Sequence, residues 1–143
     1  MTLQDKPIQI LLVEDDQVDI MNVKRAFSKQ GIGNPLHIAS NGLEALDMLR
    51  GPNALDPLPQ IILLDINMPK MNGLEFLREL RQDEALRGLI VFVLTTSNQD
   101  KDKREAYDLN VAGYIIKPVD FQAFLTTVST LHDYWNLIQF AAP

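Results

Sequence analysis

Three acidic residues, each at the end of a short apolar run, are the residues of this chain best suited to do chemistry. Glu14 and Asp15 follow the apolar run at 8–13, and Asp65 follows the run at 61–64. If these runs are neighbouring parallel strands, all three carboxylates meet at the carboxyl edge of one sheet. Carboxylates that close repel one another unless a cation lies between them, and their oxygens suit Mg²⁺. The sequence therefore predicts a cation site at this edge.

The elements that must position these residues follow a repeating order. Apolar runs rich in Ile, Leu and Val, typical of parallel strands covered on both faces, occur at 8–13, 36–39, 61–64, 89–94 and 114–116. Amphipathic helical segments follow each run, the last predicted over 120–140. This order predicts an α/β fold, a flavodoxin-like (βα)5 doubly wound parallel five-stranded sheet with strand order 2-1-3-4-5. Strands one and three are then adjacent, as the cation site requires.

Composition limits the classes of protein and partner. The chain has 143 residues, a formal net charge of -6 and no cysteine. We predict one domain over 1–143, with a core at about 7–132 and a helical extension at about 133–143. The acidic charge argues against a nucleic-acid partner, and the absence of cysteine excludes thiolate catalysis. Without an apolar stretch of about 18 residues or a signal peptide, we predict a cytoplasmic protein with no membrane partner.

Several motifs in chain order resemble the receiver domain of two-component response regulators, over roughly residues 7–132. They are the acidic pair Glu14-Asp15, Asp65 at the phospho-acceptor position, Asn67-Met68-Pro69 followed by Gly73, Thr95 at the end of strand four, Tyr114, and Lys117-Pro118. Each motif alone is weak, but their order and spacing together are specific. The resemblance implies a signalling module that catalyses only its own phosphorylation and dephosphorylation and is not an enzyme acting on other substrates.

The resemblance also implies roles for the acidic residues and the lysine. Asp65 is expected to accept a phosphoryl group from a sensor histidine kinase. Mg²⁺ is expected to be held by Asp15, Asp65 and the backbone carbonyl of Asn67, with Glu14 acting through a bound water. Lys117 is expected to place a positive charge beside the phosphoryl oxygens.

Two further residues are implied to read the phosphorylated state. Thr95 is expected to donate a hydrogen bond to the phosphorylated form only. Tyr114 is then expected to pack inward, although static packing of this side chain is an equally good interpretation. The resemblance implies a cis peptide bond before Pro118, whereas a trans bond is the commoner outcome for any residue before proline.

The last predicted helix indicates how the signal leaves the molecule. Because no output domain follows it, we expect the chain to act through a phosphotransfer or target protein. Its apolar pattern continues through Tyr134, Trp135 and Phe140, which predicts a homodimer through the helix 4–strand 5–helix 5 face and the C-terminal extension. The alternative is that this tail folds back over the domain. The same features resemble the small regulators paired with phytochromes, which implies a light-sensing kinase as donor.

Other function classes are weighed against these residues. An aspartyl-nucleophile phosphohydrolase needs a second acid two positions after its nucleophile, and that position holds Asn67, which cannot protonate a leaving group. A phosphorylation-independent adaptor on the same fold would not need the full set of acids and lysine. Flavin binding is disfavoured because acidic side chains follow the first strand where a phosphate would have to bind.

Overall fold

The computed structural model describes residues 7–141. Its five strands are β1 Ile10–Val13, β2 Leu36–Ala39, β3 Ile61–Leu64, β4 Ile90–Thr95 and β5 Gly113–Ile116. Its five helices are α1 Gln17–Lys29, α2 Gly42–Arg50, α3 Gly73–Gln82, α4 Asp100–Asp108 and α5 Phe121–Leu137. Among residues 7–141, no helix combines the length and the apolar character needed to cross a membrane.

All five strands are parallel, and the sheet order is β2-β1-β3-β4-β5. Helices α1 and α5 cover one face of the sheet, while α2, α3 and α4 cover the other. Alternate residues of each strand enter the two cores: in β1, Leu11 faces α2 and α3, whereas Ile10 faces α1 and α5. The predicted flavodoxin-like fold and strand order are confirmed.

The first helix is delimited by side-chain and backbone caps. The Asp16 carboxylate accepts hydrogen bonds from the backbone N–H groups of Val18, at 2.8 Å, and Asp19, at 3.1 Å, which satisfies two N–H groups that the first turn leaves free. After Gln30, Gly31 adopts a φ of 65°, a conformation that glycine enters without steric cost. These caps fix where α1 begins relative to the end of β1.

The last helix is shorter than the sequence predicted, ending at Leu137 and not near residue 140. Trp135 is only 1% exposed and lies 6.1 Å from the ring of Phe27, and Phe140 also packs against this core. Trp135 and Phe140, two of the apolar residues near the C-terminus, therefore pack on the domain itself. Leu137 remains 81% exposed. The ends of the predicted domain, 1–6 and 142–143, lie outside the described residues.

Candidate functional site

The three predicted carboxylates meet at the carboxyl edge of the sheet. Val13 of β1 and Leu64 of β3 are paired in register, so the residues that follow them emerge side by side. One carboxylate oxygen from each of Glu14, Asp15 and Asp65 lies within 4.8 Å of the others. Glu14 and Asp65 are buried, whereas Asp15 is exposed. The arrangement offers oxygen ligands of the kind that a hard divalent cation prefers.

Lys117 places the positive charge of the site between these acids. Its Nζ donates hydrogen bonds to Glu14 Oε1 and to Asp19 Oδ2, and the bond to Asp19 is 2.8 Å long. The same nitrogen lies 3.8 Å from Asp65 Oδ2. The side chain is 9% exposed, so the ammonium is largely withdrawn from water. Within residues 7–141 the cis peptide bond joins Asp56 to Pro57, so the cis bond implied before Pro118 is not found.

Asp19 is a site residue that the sequence reasoning missed. It is the third residue of α1, and its carboxylate reaches the same ammonium as Glu14. The sequence feature that could have indicated its role is its place in the first turn of the helix that follows the acidic pair. That position directs an acid toward the strand ends, but its contact with a residue 98 positions later was not readable from spacing.

Burial sets the protonation of Glu14. Its removal from water raises the pKa of the carboxyl to about 7, and the charge of Asp65 acts in the same direction, while Lys117 opposes both. Burial would lower the pKa of Lys117, but its hydrogen bonds to Asp19 and Glu14 outweigh that effect and raise the pKa. The lysine is therefore charged at neutral pH, whereas Glu14 changes its protonation near pH 7.

We expect Mg²⁺ affinity to rise with pH through this titration. Below pH 7 Glu14 carries a proton and is neutral; above pH 7 it is a carboxylate that attracts the cation. Because the cation must displace the proton, the association constant should increase by up to about tenfold between pH 6 and pH 8. Isothermal titration calorimetry at the two pH values measures this.

Glu14→Gln is the matched control for this pH dependence. The amide has nearly the same shape and no titration in this range, so Mg²⁺ affinity should become almost independent of pH between 6 and 8. An unchanged slope in the variant would show that another group controls the pH dependence.

A hydrogen-bonded chain joins the site to the face formed by α4 and β5. Thr95 is fully buried at the end of β4, and its Oγ1 accepts from the Ser97 N–H at 3.2 Å. The Ser97 carbonyl accepts from the Tyr114 hydroxyl at 2.9 Å, and Ser97 Oγ donates to Asp102 Oδ2 at 2.6 Å. Tyr114 is half-buried against the core. Thr95 and Tyr114 are thus linked through one residue.

The loop after Asp65 turns back on itself and is closed by a glycine. Asn67 lies exposed on this loop, two residues after Asp65. The N–H of Gly73 donates to the Ile66 carbonyl at 2.8 Å. A Cβ at Gly73 would lie 2.2 Å from the backbone oxygen of Asp65 and 2.9 Å from the Cα of Ile66. The close approach holds the backbone of the acidic residue in place and leaves no room for a side chain.

Gly73→Ala should therefore destabilise the protein by about 2–4 kcal/mol, because backbone atoms cannot move aside as a flexible side chain can. Urea unfolding followed by circular dichroism measures the change. Gly33→Ala is the control, since nothing lies within 4 Å of a Cβ built at this exposed position. Equal stabilities for the two variants would contradict the tight packing described at Gly73.

Comparison with known proteins decides the family. A model of the response regulator receiver domain matches residues 10–129. The chain belongs to the response regulator receiver domain family. The resemblance drawn from the acidic pair, Asp65, Thr95 and Lys117-Pro118 is thereby confirmed at the level of the family.

Individual relatives of this receiver domain cover nearly its whole length. It is 39% identical to the probable methanogenesis regulatory protein FilR2 of Methanothrix harundinacea, over 92% of this chain and 85% of that protein. It is 35% identical to the response regulator Rcp1 of Synechocystis, over 90% of this chain and 89% of that protein.

Solved structures show the same likeness. The phosphorylated cyanobacterial phytochrome response regulator RcpA matches with a TM-score of 0.85 and 31% identity, covering 94% of this chain and 98% of that one. The Mn²⁺-bound form of Rcp1 matches with a TM-score of 0.84 and 33% identity, covering 95% and 100%. The receiver domain described above is therefore similar to phytochrome-associated response regulators.

Proposed function

We propose that this receiver domain accepts a phosphoryl group on Asp65 from a sensor histidine kinase, in a Mg²⁺-dependent reaction. The observation that carries the proposal is the convergence of Glu14, Asp15 and Asp65 with the ammonium of Lys117 at one sheet edge. Three carboxylates and one ammonium leave a net negative charge for a divalent cation to offset. The site then has a nucleophile, a place for a cation and a fixed positive charge.

The proposed reaction transfers a phosphoryl group between two side chains. A carboxylate oxygen of Asp65 attacks the phosphorus of a phosphohistidine, the P–N bond breaks, and the imidazole nitrogen keeps the electron pair. Mg²⁺, held by Asp15, Asp65 and the Asn67 carbonyl with Glu14 through water, would offset negative charge on the phosphoryl oxygens. Lys117 contributes a fixed charge to the same oxygens. Positioning and electrostatics provide most of the catalysis of such transfers.

The proposed output passes through the chain of hydrogen bonds that begins at Thr95. Phosphorylation adds about -1.5 to -2 charges and new acceptor oxygens. In our proposal the Thr95 hydroxyl turns to donate to a phosphoryl oxygen, which draws the loop containing Ser97 toward the site. Because Tyr114 and Asp102 both bind Ser97, the α4 and β5 surface changes with it.

The proposed donor is a histidine kinase of the phytochrome type. Support comes from the structural likeness to RcpA, described as a cyanobacterial phytochrome response regulator, and to RPA3017, described as acting in red light signaling of R. palustris. In this proposal the chain acts in the cytoplasm, where it passes the signal to a phosphotransfer or target protein. It turns over no external substrate.

We also propose that the chain forms a homodimer through the α4–β5–α5 face. Trp135 is excluded from such an interface by its burial, so the proposal depends on other apolar residues. The large apolar side chains exposed on these elements are Tyr107, Ile116, Tyr134 and Leu137. Analytical ultracentrifugation with and without beryllofluoride, which mimics the phosphoryl group, measures the association state.

Incubation with acetyl phosphate and Mg²⁺ tests the proposed function and separates it from its alternatives. A receiver that phosphorylates itself should gain one phosphoryl group per chain by intact mass, and EDTA should prevent the gain. Steady release of phosphate from several small phosphoesters would favour a phosphohydrolase. No modification at all would favour a phosphorylation-independent adaptor and overturn the proposal.

A further inference from the structure

Lys117 has a carboxylate partner outside the cluster of metal-binding acids. The hydrogen bond from Lys117 Nζ to Asp19 Oδ2 is 2.8 Å long, whereas the same nitrogen is 3.8 Å from Asp65 Oδ2. The first distance is that of a charge-assisted hydrogen bond, and the second is too long for one. The lysine is therefore bonded to Asp19 and to Glu14, and only electrostatically attracted to Asp65.

The position of Asp19 does not depend on Lys117. The capping bond from the Asp19 N–H to Asp16 Oδ1 fixes the first turn of α1 at the edge of the site. An acid in this turn is also favoured by the helix dipole. The backbone of Asp19 is therefore held at the edge of the site independently of the lysine, within reach of its ammonium.

Asp19 can give up the lysine at modest cost because its carboxylate has access to water. Its side chain is 33% exposed, compared with 2% for Glu14. It borders a small cleft between α1 and the start of α5, which Lys117 and Asn22 also line. A carboxylate released into such a cleft is rehydrated, whereas a fully buried one would be left unpaired.

We propose that Asp19 is a positioning residue that holds the Lys117 ammonium on the α1 side of the site until Asp65 is phosphorylated. A phosphoryl oxygen on Asp65 then competes with Asp19 for this ammonium, because moving Nζ toward Asp65, whose Oδ2 is 3.8 Å away, lengthens the bond to Asp19. This inference rests on the proposed function, because it assigns the residue that competes with the phosphoryl group for the lysine. Asp19 thereby lowers the stability of the phosphorylated state relative to the resting state.

The competing explanation is that Asp19 acts only as a negative charge in the first turn of α1. A charge of that kind would repel an anion at the site from a distance, and its effect would be screened by salt. If Asp19 instead acts by holding the Lys117 ammonium away from the phosphoryl group, its effect on binding requires Lys117 and persists in high salt. The two explanations therefore differ in their dependence on the lysine and on ionic strength.

The test measures beryllofluoride affinity by fluorine NMR titration at saturating Mg²⁺. Asp19→Asn should tighten binding about fivefold, the equivalent of one partly exposed charged hydrogen bond. Asp19→Glu keeps the carboxylate and should bind as the wild type does. Glu44→Gln removes an acid from the first turn of α2, away from Lys117, and should have no effect.

The dependence on Lys117 is tested in the Lys117→Gln background, where Asp19→Asn should no longer tighten binding. If Lys117→Gln binds beryllofluoride too weakly to titrate, the titration of Asp19→Asn with Lys117 intact is repeated in high salt. The fivefold gain in affinity should persist there. An Asp19→Asn protein that binds no tighter, a gain that persists in Lys117→Gln, or a gain abolished by salt would each overturn the inference. Failure of the wild type itself to bind beryllofluoride would instead overturn the proposed function.

Discussion

Asp65→Asn is expected to abolish covalent phosphorylation by acetyl phosphate and by a sensor kinase. An amide has almost the same size as a carboxylate, but its oxygen is a poor nucleophile and cannot form the acyl phosphate. Asp65 is buried and accepts a hydrogen bond from the Ile66 N–H at 2.8 Å, a bond that the amide oxygen can keep. The loss should therefore be one of chemistry and not of folding. Intact mass after incubation with acetyl phosphate and Mg²⁺ measures it.

Two comparisons make this result specific. Asp56→Asn, on the exposed loop before β3, removes the same charge away from the site and should leave phosphorylation unchanged. In EDTA, the Asp65→Asn protein should be at least as stable as the wild type, since one of three crowded carboxylates has gone. A phosphoryl group found on the Asp65→Asn protein would mean that another residue is the acceptor, with Glu14 and Asp15 as the candidates in the same cluster.

Lys117→Ala is expected to destabilise the metal-free protein by about 3 kcal/mol, because it leaves buried carboxylates without a counter-charge. Glu14 and Asp65 both lie deep in the site, and the lysine that faces them is itself 9% exposed. Mg²⁺ should recover much of this loss, because the variant lacks the ammonium that competes with the cation for the same carboxylates, and therefore gains more stability than the wild type from binding it. Urea unfolding in EDTA and in saturating Mg²⁺ gives the two free energies of unfolding.

The matched control is Lys101→Ala, which removes an exposed ammonium from α4 and should change stability by less than about 0.5 kcal/mol in either condition. The difference between EDTA and Mg²⁺ is the decisive quantity for Lys117→Ala. If the loss of stability were the same with and without the cation, Lys117 would be stabilising the fold through packing and not by offsetting the acidic site.

The sheet and most of the site were predictable because they depend on short patterns. Alternating apolar runs and amphipathic segments allow few topologies, and parallel strands end at one edge. Glu14, Asp15 and Asp65 meet for that reason alone. The Asp16 cap also depends only on a short pattern, since its side chain bonds to the first turn of its own helix.

The parts that could not be predicted depend on the packing of elements far apart in the chain. The contact of Asp19 with Lys117 requires the angle at which α1 approaches the end of β5, and local spacing carries no information about that angle. The prediction that Trp135 belongs to an interface was wrong because the apolar periodicity of a helix is the same whether that helix packs on its own domain or on a partner. The burial of Trp135 against Phe27 resolved this.

Ser97 binds three different parts of the molecule at once, with its N–H to Thr95, its carbonyl to Tyr114 and its hydroxyl to Asp102. A small displacement of Ser97 weakens all three hydrogen bonds together. No new hydrogen bonds replace them until Ser97 reaches a different set of partners. Intermediate positions are therefore less stable than either end, so the loop resists gradual movement. The same short segment that we propose to transmit the state of Asp65 would thus also convert a graded pull into a two-position response.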